Sequence, residues 1–279
     1  MGQLEKEVLV SGVGRLLSMP LNRTRAARQI PLERSGAVCS ADDEVYCACG
    51  EQIIRLDART LLPKAVFCGG PGMNDLKVSQ DLSALYALCS EGDSILMIDL
   101  ISGIPVLLNR AGVNPRNMVI DGGMLAVAGG ESGEVYLLCE RSLCMLDHLA
   151  MPGPVYAVAM RDGRIYALCL TASLDCILVT IAGCTRSEYS LSGLPGCLFA
   201  GKKALYAATE GMLYTVSLDG TQILGVCTAP GRASWMNEAD GKLLLLDAYS
   251  EGLFCRERAG WRLLCRNAAF AALRGAWPK

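Results

Sequence analysis

Two kinds of side chain in this sequence have the chemistry to hold a ligand. Asn74, Asp75, Asn114, Asn117 and Asn267 carry amide or carboxylate oxygens. Hard divalent cations such as calcium choose oxygens of this type. Arg116 and Arg232 carry planar guanidinium forks, which fit a carboxylate or a phosphate. Tyr156 and Ser234 add hydroxyl groups. The plainer reading of the same residues is structural. Asparagine and arginine beside strands commonly make local turn hydrogen bonds.

Nucleophilic and redox chemistry find less support. The chain has one histidine, His148, in Leu146-Asp147-His148-Leu149. Asp147 is its direct neighbour, so in a strand the two side chains face opposite ways. A surface or edge histidine fits better than a general base. With one histidine, serine–histidine–aspartate chemistry has few arrangements. Gly-x-Ser-x-Gly is absent, and Gly12-Val13-Gly14 does not complete a dinucleotide or phosphate-loop motif. No Cys-x-x-Cys occurs among the 14 cysteines, and no four ligands have zinc-site spacing. The cysteines read as small buried hydrophobes in a reducing compartment. No resident cofactor is expected.

Bulk properties narrow the classes further. Of 279 residues, 52% are hydrophobic and 19% charged, which supports a sizeable core and argues against disorder. Net charge is −2, so no global field draws nucleic acid or an anionic membrane. The basic run Arg23, Arg25, Arg28 lacks interleaved aromatics and reads as a solvated loop. Apolar runs such as Leu243–Leu246 are strand-sized, far below the ~20 residues of a spanning helix. The N-terminal residues lack the pattern of a secretory leader, and Lys6 occupies the place where a myristoylation signal needs Ser or Thr. A cytoplasmic location, with neither nucleic acid nor membrane as partner, is the expectation.

The elements that would position these side chains come from a repeat. Val45-Tyr46-Cys47-Ala48-Cys49 is matched by Leu85-Tyr86-Ala87-Leu88-Cys89, Ile165-Tyr166-Ala167-Leu168-Cys169 and Leu205-Tyr206-Ala207-Ala208-Thr209. Leu125–Gly129 keeps the register without the tyrosine. Val8–Ser11 and Leu243–Asp247 supply early and late copies. Each copy spans about forty residues and holds four short apolar runs between turn residues, the pattern of a propeller blade. In one copy the runs are Leu85–Cys89, Ile95–Leu100, Pro105–Asn109 and Asn117–Asp121. The prediction is an all-β, seven-bladed β-propeller of four-stranded antiparallel blades, with six or eight blades as alternative counts. The blades fall near 7–44, 45–84, 85–123, 124–164, 165–204, 205–242 and 243–275, as one domain over 1–279. Cys49, Cys89 and Cys169 then lie in different blades, too far apart to bridge.

Ala84–Cys89 followed by Ser94-Ile95-Leu96-Met97-Ile98-Asp99 resembles the YVTN-type propeller repeat. Ile54-Arg55-Leu56-Asp57, Thr215–Asp219, Gly112-Val113-Asn114-Pro115, Gly153-Pro154 and Gly193-Leu194-Pro195 resemble it too. The resemblance implies that the strand after Gly and Pro is innermost. Asn117–Ile120, Val155–Met160, Cys197–Ala200 and Trp235–Glu238 would then line the axis. It implies also that Ala268–Arg274 completes the blade begun by Val8–Ser11, which removes an open edge. By analogy with other propellers, the loops entering these strands form the binding face. They gather Asn74, Asp75, Asn114, Arg116, Asn117, Tyr156, Arg232, Ser234 and Asn267. Trp235, Trp261 and Trp277 read as packing residues.

Two functions follow. The first is a non-enzymatic binding or scaffold propeller whose loops meet a protein partner or a small ligand. The alternative is a lactonase-like hydrolase with a divalent cation, such as calcium, on the axis.

Overall fold

The computed structural model describes residues 6–12, 14–21 and 27–274. Arg23, Arg25 and Trp277 lie outside them. All regular elements among the described residues are β-strands. The chain opens with β1 (Glu7–Gly12), β2 (Arg15–Pro20) and β3 (Arg28–Pro31). Next come β4 (Ser35–Ala41), β5 (Glu44–Cys49), β6 (Gln52–Asp57) and β7 (Pro63–Cys68). They are followed by β8 (Met73–Val78), β9 (Ala84–Cys89), β10 (Ser94–Asp99) and β11 (Pro105–Arg110). Then stand β12 (Met118–Asp121), β13 (Met124–Ala128), β14 (Glu134–Cys139) and β15 (Met145–Ala150). β16 (Val155–Arg161), β17 (Arg164–Leu170), β18 (Cys176–Ala182) and β19 (Thr185–Leu191) form another group. The last are β20 (Pro195–Ala200), β21 (Leu205–Val216), β22 (Ile223–Ala239), β23 (Lys242–Asp247), β24 (Gly252–Glu257), β25 (Gly260–Cys265) and β26 (Phe270–Arg274).

Each group of four pairs antiparallel in chain order, and β26-β1-β2-β3 makes a further four-stranded sheet. Strands β20 to β25 form one six-stranded sheet. The described residues therefore form six sheets, and the expectation of seven separate four-stranded blades is corrected. The predicted boundary at 242/243 is not a break between sheets. The backbone stays extended and hydrogen-bonded where turns were expected. β21 pairs with β20 through Leu205–Thr209 and with β22 through Glu210–Val216. β22 in turn pairs with β21 through Ile223–Arg232 and with β23 through Ala233–Ala239.

The sheets surround an axis. Strand β26 packs beside β4, β4 beside β8, β8 beside β12, β12 beside β16, β16 beside β20, β20 beside β22, and β22 beside β26. The ring is closed by the pairing of β1 with β26, Val8 opposite Leu273 and Ser11 opposite Phe270.

Burial follows from this arrangement. A strand second from the axis is covered by neighbouring sheets on both faces, so every residue of β9 is buried. A continuous apolar run is what such a position needs. The repeated tyrosines Tyr46, Tyr86 and Tyr166 are buried, with their hydroxyls bonded. Tyr86 Oη donates to Glu140 O at 2.5 Å, Tyr46 Oη to Glu44 Oε2 at 2.6 Å, and Tyr166 Oη to Leu218 O. Outermost strands such as β15 are mostly exposed. Arg28 is paired with Glu7 at 2.8 Å, which corrects its reading as part of a solvated run. No helix among the described residues is long and apolar enough to cross a membrane.

Candidate axial binding site

The innermost strands share a local defect. Register shifts lie between Met73 and Asp75 in β8, Val155 and Ala157 in β16, Pro195 and Cys197 in β20, and Ala233 and Trp235 in β22. One extra residue stands at each: Asn74, Tyr156, Gly196 and Ser234. Before β12, Arg116 N–H donates to Ala128 O at 3.0 Å and Ala128 N–H to Asn117 O at 2.9 Å, which gives Arg116 the same place. A bulge leaves the ladder unpaired and re-aims its side chain. Sheet pairing thus sets Asn74, Arg116 and Tyr156 at matching positions in successive sheets.

Two arginines meet on Tyr156. The Arg116 Cζ lies 5.3 Å and the Arg232 Cζ 5.4 Å from the centroid of its ring. Both distances are within cation–π range. Among the described residues, neither guanidinium has a carboxylate oxygen within 4.0 Å. Arg116 is exposed and Arg232 half-buried.

Arg232 is held in place by its surroundings. Its Nε donates to Pro195 O at 3.1 Å and its backbone N–H to Asp247 Oδ1 at 2.8 Å. Asp247 is buried and also accepts from Tyr249 N (3.2 Å), Ser250 N (3.0 Å) and Ser250 Oγ (2.5 Å). Its carboxylate is therefore spent on the loop rather than on a guanidinium. Gly231 permits this, because it takes φ 52° and a Cβ there would collide with the Asp247 carboxylate. Gly196 stands between Tyr156 and Ser234 in the ring of bulges, and Arg232 lies two residues before Ser234. A Cβ at Gly196 would lie 2.7 Å from Ala233 O and 2.9 Å from Ala208 O.

The remaining predicted residues divide by role. Asn117 Nδ2 donates to Val158 O at 3.0 Å, and its Oδ1 accepts from Val158 N at 2.9 Å. Asp75 Oδ2 accepts from Met118 N at 2.9 Å, and its Oδ1 from Lys77 Nζ at 2.8 Å. Asn74 Nδ2 donates to Pro115 O at 2.7 Å, while its Oδ1 is buried without a hydrogen-bond partner. These three side chains fasten β8 to the segment that opens β12, and that segment to β16. Asn114 adopts φ 53°, donates its N–H to Asp93 Oδ1 at 2.7 Å and its Nδ2 to Glu131 Oε1 at 3.4 Å. Ser234 Oγ is bonded to Leu246 O at 3.4 Å. Asn267 adopts φ 57° in the exposed turn before β26, and its carbonyl packs against Gly12.

Sequence reasoning missed Gly196, Gly231 and Asp247. The available signal was Gly193-Leu194-Pro195-Gly196, where a second glycine takes the place that is Asn, Arg, Tyr or Ser elsewhere. His148 is exposed, with Nδ1 3.0 Å from Glu134 Oε1. Trp261 Nε1 donates to Thr228 O at 2.8 Å. All fourteen cysteines are free; seven are buried, and Cys68, Cys144 and Cys184 are exposed. Burial pushes the Cys39 thiol up to about 12 and the Cys89 thiol to about 11. A groove of about 540 Å³ is lined by Tyr206, Glu238, Lys242, Leu243, Arg256 and Glu257, among others.

No protein-family model matches the chain, the YVTN-type repeat included, and no curated protein matches it in sequence. Solved structures do match in shape. A functionally unknown protein from Desulfotomaculum acetoxidans DSM 771 superposes with TM-score 0.79 at 12% identity, over 97% of this chain and 98% of that one. BamB from Moraxella catarrhalis matches with TM-score 0.63 at 16% identity, over 91% of this chain and 78% of that one. A chain of the mitotic checkpoint complex matches with TM-score 0.69 at 8% identity, over 85% and 80%. At these identities the likeness establishes the fold, a β-propeller.

Proposed function

We propose that this chain is a cytoplasmic binding propeller, with no catalysis at its axial site, that takes a carboxylate of an acidic protein segment against Arg116 and Arg232. The observation that carries this reading is the convergence on Tyr156 of two guanidinium groups that have, among the described residues, no carboxylate oxygen within 4.0 Å. Two like charges on one ring repel, and an anion between or above them relieves that repulsion. Guanidinium forks suit a carboxylate, and a tyrosine face holds them at small entropic cost. Two supports are weaker. The fourteen free cysteines agree with a reducing compartment. One structural neighbour belongs to a named multi-protein complex.

A divalent cation on the axis, the hydrolytic reading, has one observation in its favour. Asn74 Oδ1 is buried and lacks a donor. Calorimetric titration separates the two readings. A short peptide of Asp and Glu should bind at low salt, weaken as salt screens the contact, and lose binding in the Arg116→Gln, Arg232→Gln double variant. Absence of peptide binding at low salt, or binding unchanged by the double variant, defeats the carboxylate reading. Calcium binding lost in Asn74→Ala would favour the cation instead.

A further inference from the structure

The turn leaving the third strand recurs in three sheets with one side chain changed. After β6, Asp57 Oδ1 accepts from Arg59 N (3.0 Å), Thr60 N (2.9 Å) and Thr60 Oγ1 (3.0 Å). After β10, Asp99 Oδ1 accepts from Ile101 N (3.1 Å), Ser102 N (2.7 Å) and Ser102 Oγ (2.8 Å). After β14 the same place is held by Cys139, followed by Glu140-Arg141-Ser142. The backbone is the same in all three. Leu61 N–H donates to Asp57 O at 2.7 Å, Gly103 N–H to Asp99 O at 2.8 Å, and Leu143 N–H to Cys139 O at 2.9 Å. The fold thus puts a thiol where two sister turns hold a carboxylate.

A second thiol faces it. Cys139 N–H donates to Cys144 O at 2.9 Å, which places Cys144 opposite Cys139 one step beyond the last ladder pair, Leu138 and Met145. Side chains directly opposite in an antiparallel pair have Cβ atoms roughly 4.5–5.5 Å apart. A disulfide wants roughly 3.5–4.5 Å. The pair sits at the turn end of the β14–β15 hairpin, near a register shift, where a small closure is feasible. Cys144 is exposed, Cys139 is half-buried, and both are free.

We propose that Cys139 and Cys144 form a thiol–disulfide exchange site for low-molecular-weight disulfides. The Cys139 thiolate attacks one sulfur of R–S–S–R, forms a mixed disulfide and expels R–S⁻. Cys144 loses its proton to water and attacks the Cys139 sulfur. The Cys139–Cys144 bond forms and the second R–S⁻ leaves. Two protein thiols are oxidised by two electrons, and one small disulfide is reduced to two thiols. A slightly misfitted, exposed bridge is easily reduced again, so the exchange is reversible.

The local electrostatics support the order of attack. The Ser142 hydroxyl, then the N–H groups of Arg141 and Ser142, hold the Cys139 thiol below the ordinary thiol range, with help from the Arg141 charge. Buried thiols behave oppositely. Burial pushes Cys169 and Cys176 up to about 12, which leaves them protonated and inert.

The test uses the reduced full chain, glutathione disulfide at neutral pH, and peptide mapping without reductant. The expected product links Cys139 to Cys144. Cys144→Ser should stop at a mixed disulfide on Cys139. Ser142→Ala should slow Cys139 by about three- to tenfold. Cys139→Asp restores the carboxylate of the sister turns, so it should fold normally and abolish the reaction. A bridge at Cys47–Cys49 instead, or a Cys139 no faster than the exposed Cys68 and Cys184, overturns the proposal.

Discussion

The Asn117 side chain pairs with the backbone of Val158 on both sides, Nδ2 to the carbonyl at 3.0 Å and Oδ1 from the N–H at 2.9 Å. One amide side chain thereby copies the hydrogen-bonding edge of a strand across the gap between β12 and β16. Asp75 takes the equivalent place one sheet earlier and reaches Met118 N–H. Asn117→Ala leaves both Val158 groups without that partner, at about 1–3 kcal/mol for buried unsatisfied groups. Urea unfolding should show a lower midpoint with an unchanged slope. An unaltered midpoint would remove Asn117 from the structural role assigned to it.

Gly196 is the bulge residue that carries no side chain between Tyr156 and Ser234. A methyl group there meets two backbone carbonyls, at 2.7 and 2.9 Å, and neither is a flexible side-chain end. Gly196→Ala should cost about 1–3 kcal/mol, the range for overpacking. It should also weaken the acidic-peptide contact, because Ala233 moves with Arg232. Wild-type melting and wild-type peptide affinity together would show that the bulge has room to spare.

The stretches that were legible in the sequence are those where packing dictates composition. Buried second strands such as β9 need unbroken apolar runs, and the tyrosines recur because each fills the same space. The join between Thr209 and Met212 was not legible. A single glycine, Gly211, reads as a turn, yet here Glu210 pairs onward with Arg232 and keeps the strand continuous. The site was half legible. Residue types marked Arg116, Arg232 and Tyr156, but the bulges that bring them together depend on register, which no single residue reveals. Asn117 and Asp75 looked like ligand donors because composition cannot tell a side chain facing solvent from one facing a neighbouring backbone.

Two turn carboxylates tie stability to pH on the acid side. The Ser83 and Ser79 hydroxyls hold Asp81 down at about 2, and the Ser217 hydroxyl and Thr221 hold Asp219 at about 2. An unfolded aspartate titrates near ~3.9. A depressed folded pKa stabilises the fold above the unfolded value, and the contribution is lost as pH falls through the folded one. The contribution of these groups to melting temperature should therefore be level above about pH 5 and decline from about pH 5 to about pH 2. Asp81→Asn should flatten part of that decline. A curve identical to wild type would exclude Asp81 from the acid transition.

The closing strand offers the strongest test of the ring. β1 lies between β2 and β26, with Val8 opposite Leu273 and Val10 opposite Ala271. Val8, Val10, Ala271 and Leu273 share a buried cluster with Leu244, Leu246 and Leu253 of the six-stranded sheet. Loss of β26 would bare the β1 edge and the flank of that cluster at once, and an unpaired apolar edge favours association with other chains. Deleting residues 266–279 should abolish cooperative unfolding and drive the protein into aggregates. Leu273→Ala is the milder version, since only side-chain packing is lost and the ladder remains. It should lower stability by about 2–4 kcal/mol and leave the fold intact by circular dichroism. A truncated protein that melts like the full chain would mean that the ring holds without β26, and that the β1 edge is satisfied by some other segment.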